Sequence, residues 1–187
     1  MSAIERPTAR AHRELAGVLR EGDLAIDATA GNGHDTVFLA GRVGERGQVI
    51  AFDIQAEAIA SSRERVAAAS LTDRVAFVQG SHAGLGSHVI PGSVTAIVFN
   101  LGYLPGGDHA VITRGEGSLL ALEASLVALK EGGLLAVVCY PGHPGGDTES
   151  EAVIAWSKDL PAPFSAEVIR REDTLRPAPF LVLVRKR

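Results

Sequence analysis

The chain has 187 residues, and 18 basic against 22 acidic side chains give it a net charge of −4. With 46% hydrophobic and 21% charged residues, the composition excludes a mainly disordered chain, and the net charge does not indicate wholesale electrostatic binding of nucleic acid. The length predicts one domain, residues 1–187. A single cysteine, Cys139, excludes an internal disulfide and a cysteine zinc site, and we expect no metal. We also expect a cytoplasmic chain without membrane contact, because neither a secretory leader nor a long apolar run is visible.

Helical and strand patterns alternate along the chain. Apolar runs predict strands at 24–28, 48–53, 74–79, 93–100, 134–140, 165–171 and 180–185. Helical spacing predicts helices at about 8–20, 36–43 and 55–69. Two matches to the capping box, at 113–116 and 148–151, predict two more helices at about 114–131 and 149–159, and the glycine pair 132–133 is expected to end the first of them.

This order predicts an α/β fold with a doubly wound, mostly parallel sheet, because the strands are continuously apolar and alternate with helices. The last two strands lack a helix between them and add one antiparallel strand. The pattern resembles the Rossmann-like class I methyltransferase architecture, with seven strands and helices on both faces. A flavodoxin-like fold or a dinucleotide-binding oxidoreductase is the alternative.

A glycine-rich turn and an acidic residue fall at the ends of the first two strands. Glycines 31 and 33 allow the backbone to approach a ligand, and Asp53 can accept hydrogen bonds from both ribose hydroxyls of an adenosine. Thr36 stands where a pyrophosphate-binding turn has its third glycine. Asp27 would repel a pyrophosphate but suit an ammonium group. These features favour S-adenosylmethionine over NAD.

Five segments resemble the YtqB-type methyltransferases, long labelled rRNA methylases. They are Asp-Ala-Thr-Ala-Gly-Asn-Gly-His-Asp (27–35), Phe-Asp-Ile-Gln (52–55), Ser-His (81–82), Asn-Leu-Gly-Tyr-Leu-Pro-Gly-Gly-Asp (100–108) and Gly-His-Pro-Gly-Gly (142–146). The resemblance implies a class I fold, S-adenosylmethionine as cofactor and an RNA substrate. In that family the amine of wobble 5-aminomethyl-2-thiouridine in tRNA is methylated. Pro141 departs from the family pattern, which leads us to expect histidine there.

The motifs predict two sets of site residues. The cofactor set is Asp27, Ala30, Gly31, Asn32, Gly33, His34, Asp35, Asp53, Ile54, Gln55, Ser81, His82 and Asn100. The catalytic set is Asn100, Leu101, Tyr103 and His143, with Asn100 and the Leu101 carbonyl as acceptors for the amine hydrogens. The alternatives are structural: a strand-end cap for Asn100, a helix cap for His34 and Asp35, a surface position for His82, and loop orientation for His143.

Basic residues near both ends of the chain are a second candidate feature. They are Arg6, Arg10 and Arg13, then Arg170, Arg171 and Arg176, and then the basic stretch 185–187. If the two ends meet on one rim, these residues could hold the anticodon region of a tRNA by its phosphates, although a solvated surface is the simpler interpretation. A homodimer through an exposed helix or edge strand is also possible. A small-molecule or rRNA methyltransferase remains an alternative, as does an NAD(P)-binding oxidoreductase or a non-catalytic nucleotide-binding module.

Overall fold

The computed structural model describes residues 5–102, 115–142, 144–170 and 177–187. Strands and helices alternate through most of these ranges. The strands are β1 (Leu24–Asp27), β2 (Gln48–Asp53), β3 (Val75–Gln79), β4 (Val94–Leu101), β5 (Leu129–Cys139), β6 (Phe164–Ile169) and β7 (Phe180–Lys186). The helices are α1 (Pro7–Val18), α2 (His34–Val43), α3 (Ala56–Ala68), α4 (Gly115–Ala128) and α5 (Gly146–Lys158), with short 3-10 helices at Thr72–Arg74 and His82–His88.

The seven strands form one sheet in the order β3-β2-β1-β4-β5-β7-β6. The five strands from β3 to β5 in this order are parallel to their neighbours, whereas β7 pairs antiparallel with both β5 and β6. The predicted class I sheet with one antiparallel strand is therefore confirmed. The order reverses direction between β1 and β4, and ligands of open α/β sheets bind at such a point, outside the carboxyl ends of the strands.

Helices cover both faces of the sheet. On one face, α1 and α2 pack Leu15 and Leu39 against strand residues such as Val98. On the other face, α4 contributes Leu122 and Leu126 to a core that includes Phe52 and Phe99. The central strands are buried on both faces, which explains their continuous apolar sequences. Within the described ranges, no helix is both long enough and apolar enough to cross a membrane.

The prediction that the glycine pair 132–133 ends α4 is wrong. The helix ends at Ala128, and both glycines lie inside β5, where the pairing with β4 shifts register between Val94 and Ala96. Gly132 has a φ of +74°, and a Cβ at Gly133 would lie 2.8 Å from the Lys130 carbonyl oxygen. The two glycines therefore permit an irregular start of the strand. In the sequence, such a glycine pair looks the same as one that ends a helix.

The capping-box prediction for 148–151 is also wrong. α5 begins at Gly146, after Gly145 with a φ of +83°, so Thr148 already lies inside the helix. The Asp147 carboxylate instead accepts the Gly142 N–H at 3.0 Å and closes the turn before the helix. The other predicted capping box, at 113–116, falls largely outside the described residues.

Candidate active site

Polar side chains meet where three neighbouring strands end. Asp27 is the last residue of β1, Asp53 is the last residue of β2, and Asn100 lies one residue before the end of β4. These strands are adjacent in the sheet, and they all run in the same direction. The sheet therefore brings three of the predicted site residues to one rim.

The turn after β1 holds its backbone open at this rim. Gly31 has a φ of +49° and Gly33 a φ of +79°, conformations that favour glycine. A Cβ at Gly33 would lie 2.8 Å from Cα of the buried Ser62 in α3, so the turn needs glycine there for close packing as well. Asn32 is tied to the same helix, because its carbonyl oxygen accepts a bond from Arg65 at 2.5 Å.

Asp53 connects β2 to this turn. One carboxylate oxygen accepts the Gly31 N–H at 2.9 Å, and the other accepts the Gln55 N–H at 3.0 Å. A carboxylate has about four lone-pair directions, so Asp53 retains acceptor capacity for ribose hydroxyls. The next side chain, Ile54, is 44% exposed and offers an apolar surface beside that carboxylate.

Asp27 lies beneath the turn and is completely buried. Its carboxylate accepts the Thr29 N–H at 3.1 Å and the Thr36 hydroxyl at 2.6 Å. Burial, together with the charge of the nearby Asp35, raises the pKa of Asp27 to about 7. Thr36 thus occupies the position of the missing third glycine with a hydrogen bond to the acid.

Asn100 is fixed by contacts with three elements. Its backbone N–H donates to the Thr29 hydroxyl at 2.8 Å, and its side-chain Nδ2 donates to Asp35 at 2.6 Å. The Tyr140 hydroxyl approaches Asn100 Oδ1 at 3.4 Å, and burial raises the pKa of that tyrosine, which keeps it a donor. The predicted residues Asn100 and Asp35 are therefore in direct contact.

His12 belongs to the same cluster, although no sequence signal singled it out. Its Nε2 lies 2.5 Å from Asp35 Oδ1, and its ring stacks on Phe38 with centroids 3.9 Å apart. The contact joins residues 23 positions apart and depends on how α1 packs against α2. Local spacing carries no trace of it. Tyr140 was likewise not predicted.

The remaining predicted residues take varied positions. Ala30 is buried in the turn, His34 is exposed at the start of α2, and Ser81 accepts the Ala83 N–H at 3.2 Å. His82 is buried, its Nδ1 lies 3.1 Å from the Ala28 carbonyl oxygen, and burial lowers its pKa. The surface position considered for His82 is therefore wrong, because the ring packs in the interior beside the turn after β1, and its contact with adenine stays a prediction. Leu101 is buried at the end of β4, and the predicted Tyr103 and His143 lie outside the described residues.

The charge of the rim suits a cation. Asp27, Asp35 and Asp53 lie close enough together that Asp35 and Asp53 both raise the pKa of Asp27. A pyrophosphate would be repelled by these carboxylates, whereas a sulfonium and an ammonium would be attracted. The open turn, the free acceptor capacity of Asp53 and this charge suit S-adenosylmethionine.

An open cavity of about 290 Å³ lies farther along the same end of the sheet. It lies beyond the carboxyl end of β5, between α5 and the start of β7, and its lining includes Pro141, Arg170 and Phe180. The Arg170 guanidinium stacks 4.6 Å from the Phe180 ring centroid, which holds a cation at this edge.

The basic ends of the chain meet, but not at this rim. Glu14 in α1 pairs with Arg185 at 2.7 Å and with Arg10 at 2.9 Å. Arg185 pairs with Leu134 in β5, five residues before Cys139 at the carboxyl end of that strand. The stretch 185–187 therefore runs toward the amino-terminal ends of the parallel strands. Arg10, Arg13 and Arg185 therefore lie close together around Glu14, and their contact with RNA phosphates stays a prediction.

Comparison with protein families gives a match over most of the chain. The model of the family described as "Putative rRNA methylase" matches residues 49–185. A chloroplastic protein of Arabidopsis thaliana, named tRNA (mnm(5)s(2)U34)-methyltransferase, is 38% identical over 167 residues, which cover 84% of this chain and 61% of that protein. The chain thus spans about three fifths of the length of this curated relative.

Solved structures give the same result for the fold. A crystal structure from Clostridium thermocellum, described as a putative rRNA-methylase, superposes with a TM-score of 0.95 at 36% identity, covering 98% of this chain and 99% of that one. A Streptococcus mutans structure, described as a putative methyltransferase in complex with SAH, has a TM-score of 0.87 at 34% identity and covers 97% and 98% of the two chains.

Proposed function

The chain belongs to the rRNA methylase family, and from this premise we propose that it is an S-adenosylmethionine-dependent N-methyltransferase. We propose further that its substrate is the aminomethyl group of wobble 5-aminomethyl-2-thiouridine in tRNA. The name of the Arabidopsis relative supports this substrate. The family description favours a second candidate, a nucleotide of rRNA, and both are tested below.

The cofactor side of the proposal rests on the carboxylates of the rim. Asp53 accepts the ribose hydroxyls while its existing bonds to the Gly31 and Gln55 N–H groups keep it in place. Ile54 covers one face of the adenine. When bound, S-adenosylmethionine supplies an electrophilic methyl group on a positively charged sulfur. The negative charges of Asp35 and Asp53, which also raise the pKa of Asp27, favour that positive charge at the rim.

The acceptor side rests on Asn100, which is the observation that carries the proposal. An amine attacks only when it is neutral, and its lone pair must point at the methyl group. Asn100 Oδ1 accepts one amine N–H, and the Leu101 carbonyl accepts the other, so the lone pair is left free and directed. Such alignment of two reactants contributes several kcal/mol to catalysis, on the order of 7–11 in well-oriented systems.

The test is nucleoside mass spectrometry of RNA incubated with the protein and S-adenosylmethionine. We use tRNA that carries 5-aminomethyl-2-thiouridine, bulk tRNA without this nucleoside, and isolated ribosomal RNA. The expected result is conversion to 5-methylaminomethyl-2-thiouridine in the first RNA alone. Asn100→Ala serves as the control protein, because it should bind the cofactor but lose turnover.

Two other results would contradict the proposed substrate. Methylation of ribosomal RNA but not of the modified tRNA would establish the second candidate. Methylation of small amines with untouched RNA would place the enzyme among small-molecule methyltransferases. Calorimetric binding of NAD, without binding of S-adenosylmethionine, would contradict the cofactor and with it the whole proposal.

A further inference from the structure

We propose that His12 and Asp35 are positioning residues that hold the Asn100 amide with its oxygen toward the acceptor amine. The inference rests on the proposed function, because it concerns how an amine is received at the same site. It adds a residue of α1 to a site that the sequence motifs place on β1, β2 and β4 and in the turns after them.

The hydrogen bonds define which way the amide faces. An ionised carboxylate only accepts hydrogen bonds, so the Asn100 atom 2.6 Å from Asp35 Oδ2 is the nitrogen. The oxygen then lies on the opposite side, where the Tyr140 hydroxyl is 3.4 Å away. A contact of that length is weak, and an amide oxygen has two lone pairs. Asn100 Oδ1 therefore keeps room for an amine N–H.

The direction of the amide decides whether it helps or hinders the reaction. With Oδ1 toward the substrate, Asn100 accepts an N–H and leaves the amine lone pair free to attack. After rotation by half a turn, Nδ2 would donate into that lone pair and occupy the nucleophile. The two orientations have nearly the same shape, so only a hydrogen-bond partner can select one. Asp35 is that partner.

His12 holds Asp35 from the other side. With the imidazole proton assigned to Nε2, His12 donates to Asp35 Oδ1 at 2.5 Å, so each oxygen of the carboxylate has its own donor. The imidazole lies flat on the Phe38 ring, with an interplanar angle of 1° and centroids 3.9 Å apart. Phe38 follows Asp35 by one helical turn in α2. The ring is thus fixed by the same helix that carries the carboxylate.

The variant His12→Phe separates this role from a merely structural one, because a phenyl ring can keep the stacking on Phe38 and lacks the donor. We expect kcat with the modified tRNA to fall about tenfold, the effect of losing one hydrogen bond to a charged group. The KM for tRNA and the affinity for S-adenosylmethionine should be unchanged. The matched control is His88→Phe, since His88 also packs on a phenylalanine, Phe52, edge-on at 5.2 Å, and it should retain the parent kcat.

A double variant tests whether His12 acts through Asn100. In the Asn100→Ala background, His12→Phe should cause no further loss, because residues that act as one unit are not additive. A readout without turnover is the NMR signal of the Asn100 side-chain NH₂ in the cofactor-free protein, assigned by its loss in Asn100→Ala. This signal should shift in His12→Phe and stay in place in His88→Phe.

The outcomes separate the inference from the function beneath it. If the parent protein does not methylate the modified tRNA, the proposed function fails. If it does, and His12→Phe keeps full kcat, or its loss adds to that of Asn100→Ala, the positioning role is overturned. An Asn100 amide signal that does not move in His12→Phe overturns it as well.

Discussion

At the scale of single residues, Asp53 has a structural role and, in the proposed function, a binding role as well. Its two oxygens close the glycine turn through the Gly31 N–H and fix the start of α3 through the Gln55 N–H. The carboxylate is therefore oriented before any ligand arrives. Preorganised acceptors of this kind bind more tightly because no conformational freedom is lost on binding.

Replacing Asp53 with alanine should weaken S-adenosylmethionine binding by about ten- to hundredfold, since a charged hydrogen-bond acceptor is worth about 1.5–3 kcal/mol. Isothermal titration calorimetry measures the change. The matched control is Asp73→Ala. Asp73 is an exposed carboxylate in the 3-10 helix before β3, at the amino-terminal ends of the parallel strands. Equal affinities of the two variants would remove Asp53 from the binding site.

Asp27 makes the stability of the cofactor-free protein depend on pH. Its pKa is raised from 3.8 to about 7 in the folded chain, chiefly by burial, so the folded state binds a proton that the unfolded state has lost. Its contribution to stability is complete below about pH 4 and disappears as the pH rises through about 7.

Asp27→Asn removes this titration. Compared with the parent protein, the variant should gain more than about 1 kcal/mol in relative stability between pH 5 and pH 8, because one pKa unit corresponds to about 1.4 kcal/mol. Thermal unfolding across that range, without cofactor, measures the gain. Parallel stability curves for the two proteins would show that Asp27 does not titrate there.

At the scale of elements, the junction of α2 and α3 depends on one glycine. Gly33 precedes α2 with a φ of +79°, and the backbone of Ser62 in α3 fills the space where a side chain would begin. Ser62 also donates to Thr36 at 3.3 Å, and Thr36 donates to Asp27. The helix packing and the buried acid are thus connected through two hydroxyl groups.

Gly33→Ala should therefore destabilise the protein by about 2 kcal/mol or more, since a left-handed backbone alone costs about 1–2 kcal/mol for a non-glycine residue. Gly41→Ala is the control within the same helix, because a Cβ at Gly41 would have nothing within 4 Å. That variant should be stabilised by about 0.5–1 kcal/mol. Urea unfolding measures both, and a Gly33→Ala protein as stable as Gly41→Ala would contradict the packing argument.

Most elements of this fold follow from local pattern. The strand 48–53 was predicted to the residue, because a buried parallel strand is a short apolar run between turn residues. The prediction for the glycine pair 132–133 was wrong because glycine is common both at helix ends and in β-bulges. Only the register of β4 against β5 distinguishes these two cases. The 3-10 helix His82–His88 was also missed, because its sequence has no strong period.

The candidate site was predictable where its residues lie on strand ends or in the motif that follows β1. Asp27, Asp53 and Asn100 follow apolar runs, so parallel pairing alone brings them to one rim. His12 and Tyr140 reach the same place through tertiary packing. His12 meets Asp35 because α1 crosses the sheet beside α2, and Tyr140 meets Asn100 because β5 lies next to β4. Neither contact has a counterpart in spacing along the chain.

At the scale of the whole molecule, charge is distributed unevenly between the carboxyl-terminal and amino-terminal ends of the parallel strands. Arg10, Arg13 and Arg185 are paired with glutamates, and the basic stretch 185–187 lies away from the site. Arg170 instead lines the cavity beyond the carboxyl end of β5, together with Pro141 and Phe180. In the proposed function an RNA presents a base to Asn100 at the same end of the sheet, so we expect Arg170 to contact a phosphate.

Arg170→Ala should raise the KM for tRNA about three- to tenfold and lower the salt dependence of binding by about one charge. Arg187 is an exposed arginine away from this rim, and Arg187→Ala should leave both the KM and the salt dependence unchanged. Fluorescence anisotropy with labelled tRNA at several salt concentrations gives both values. Equal effects of the two variants would indicate that RNA does not approach over the rim.

The position of β7 has a consequence for synthesis of the protein. Among the described strands, β6 pairs only with β7. β7 follows β6 in the chain and lies between it and β5. During synthesis, the edges of β5 and β6 that pair with β7 therefore stay unpaired until Phe180–Lys186 has left the ribosome. An exposed strand edge invites pairing with other chains. A polypeptide interrupted before Phe180 should aggregate or be degraded, although it already carries Asp27, Asp53 and Asn100.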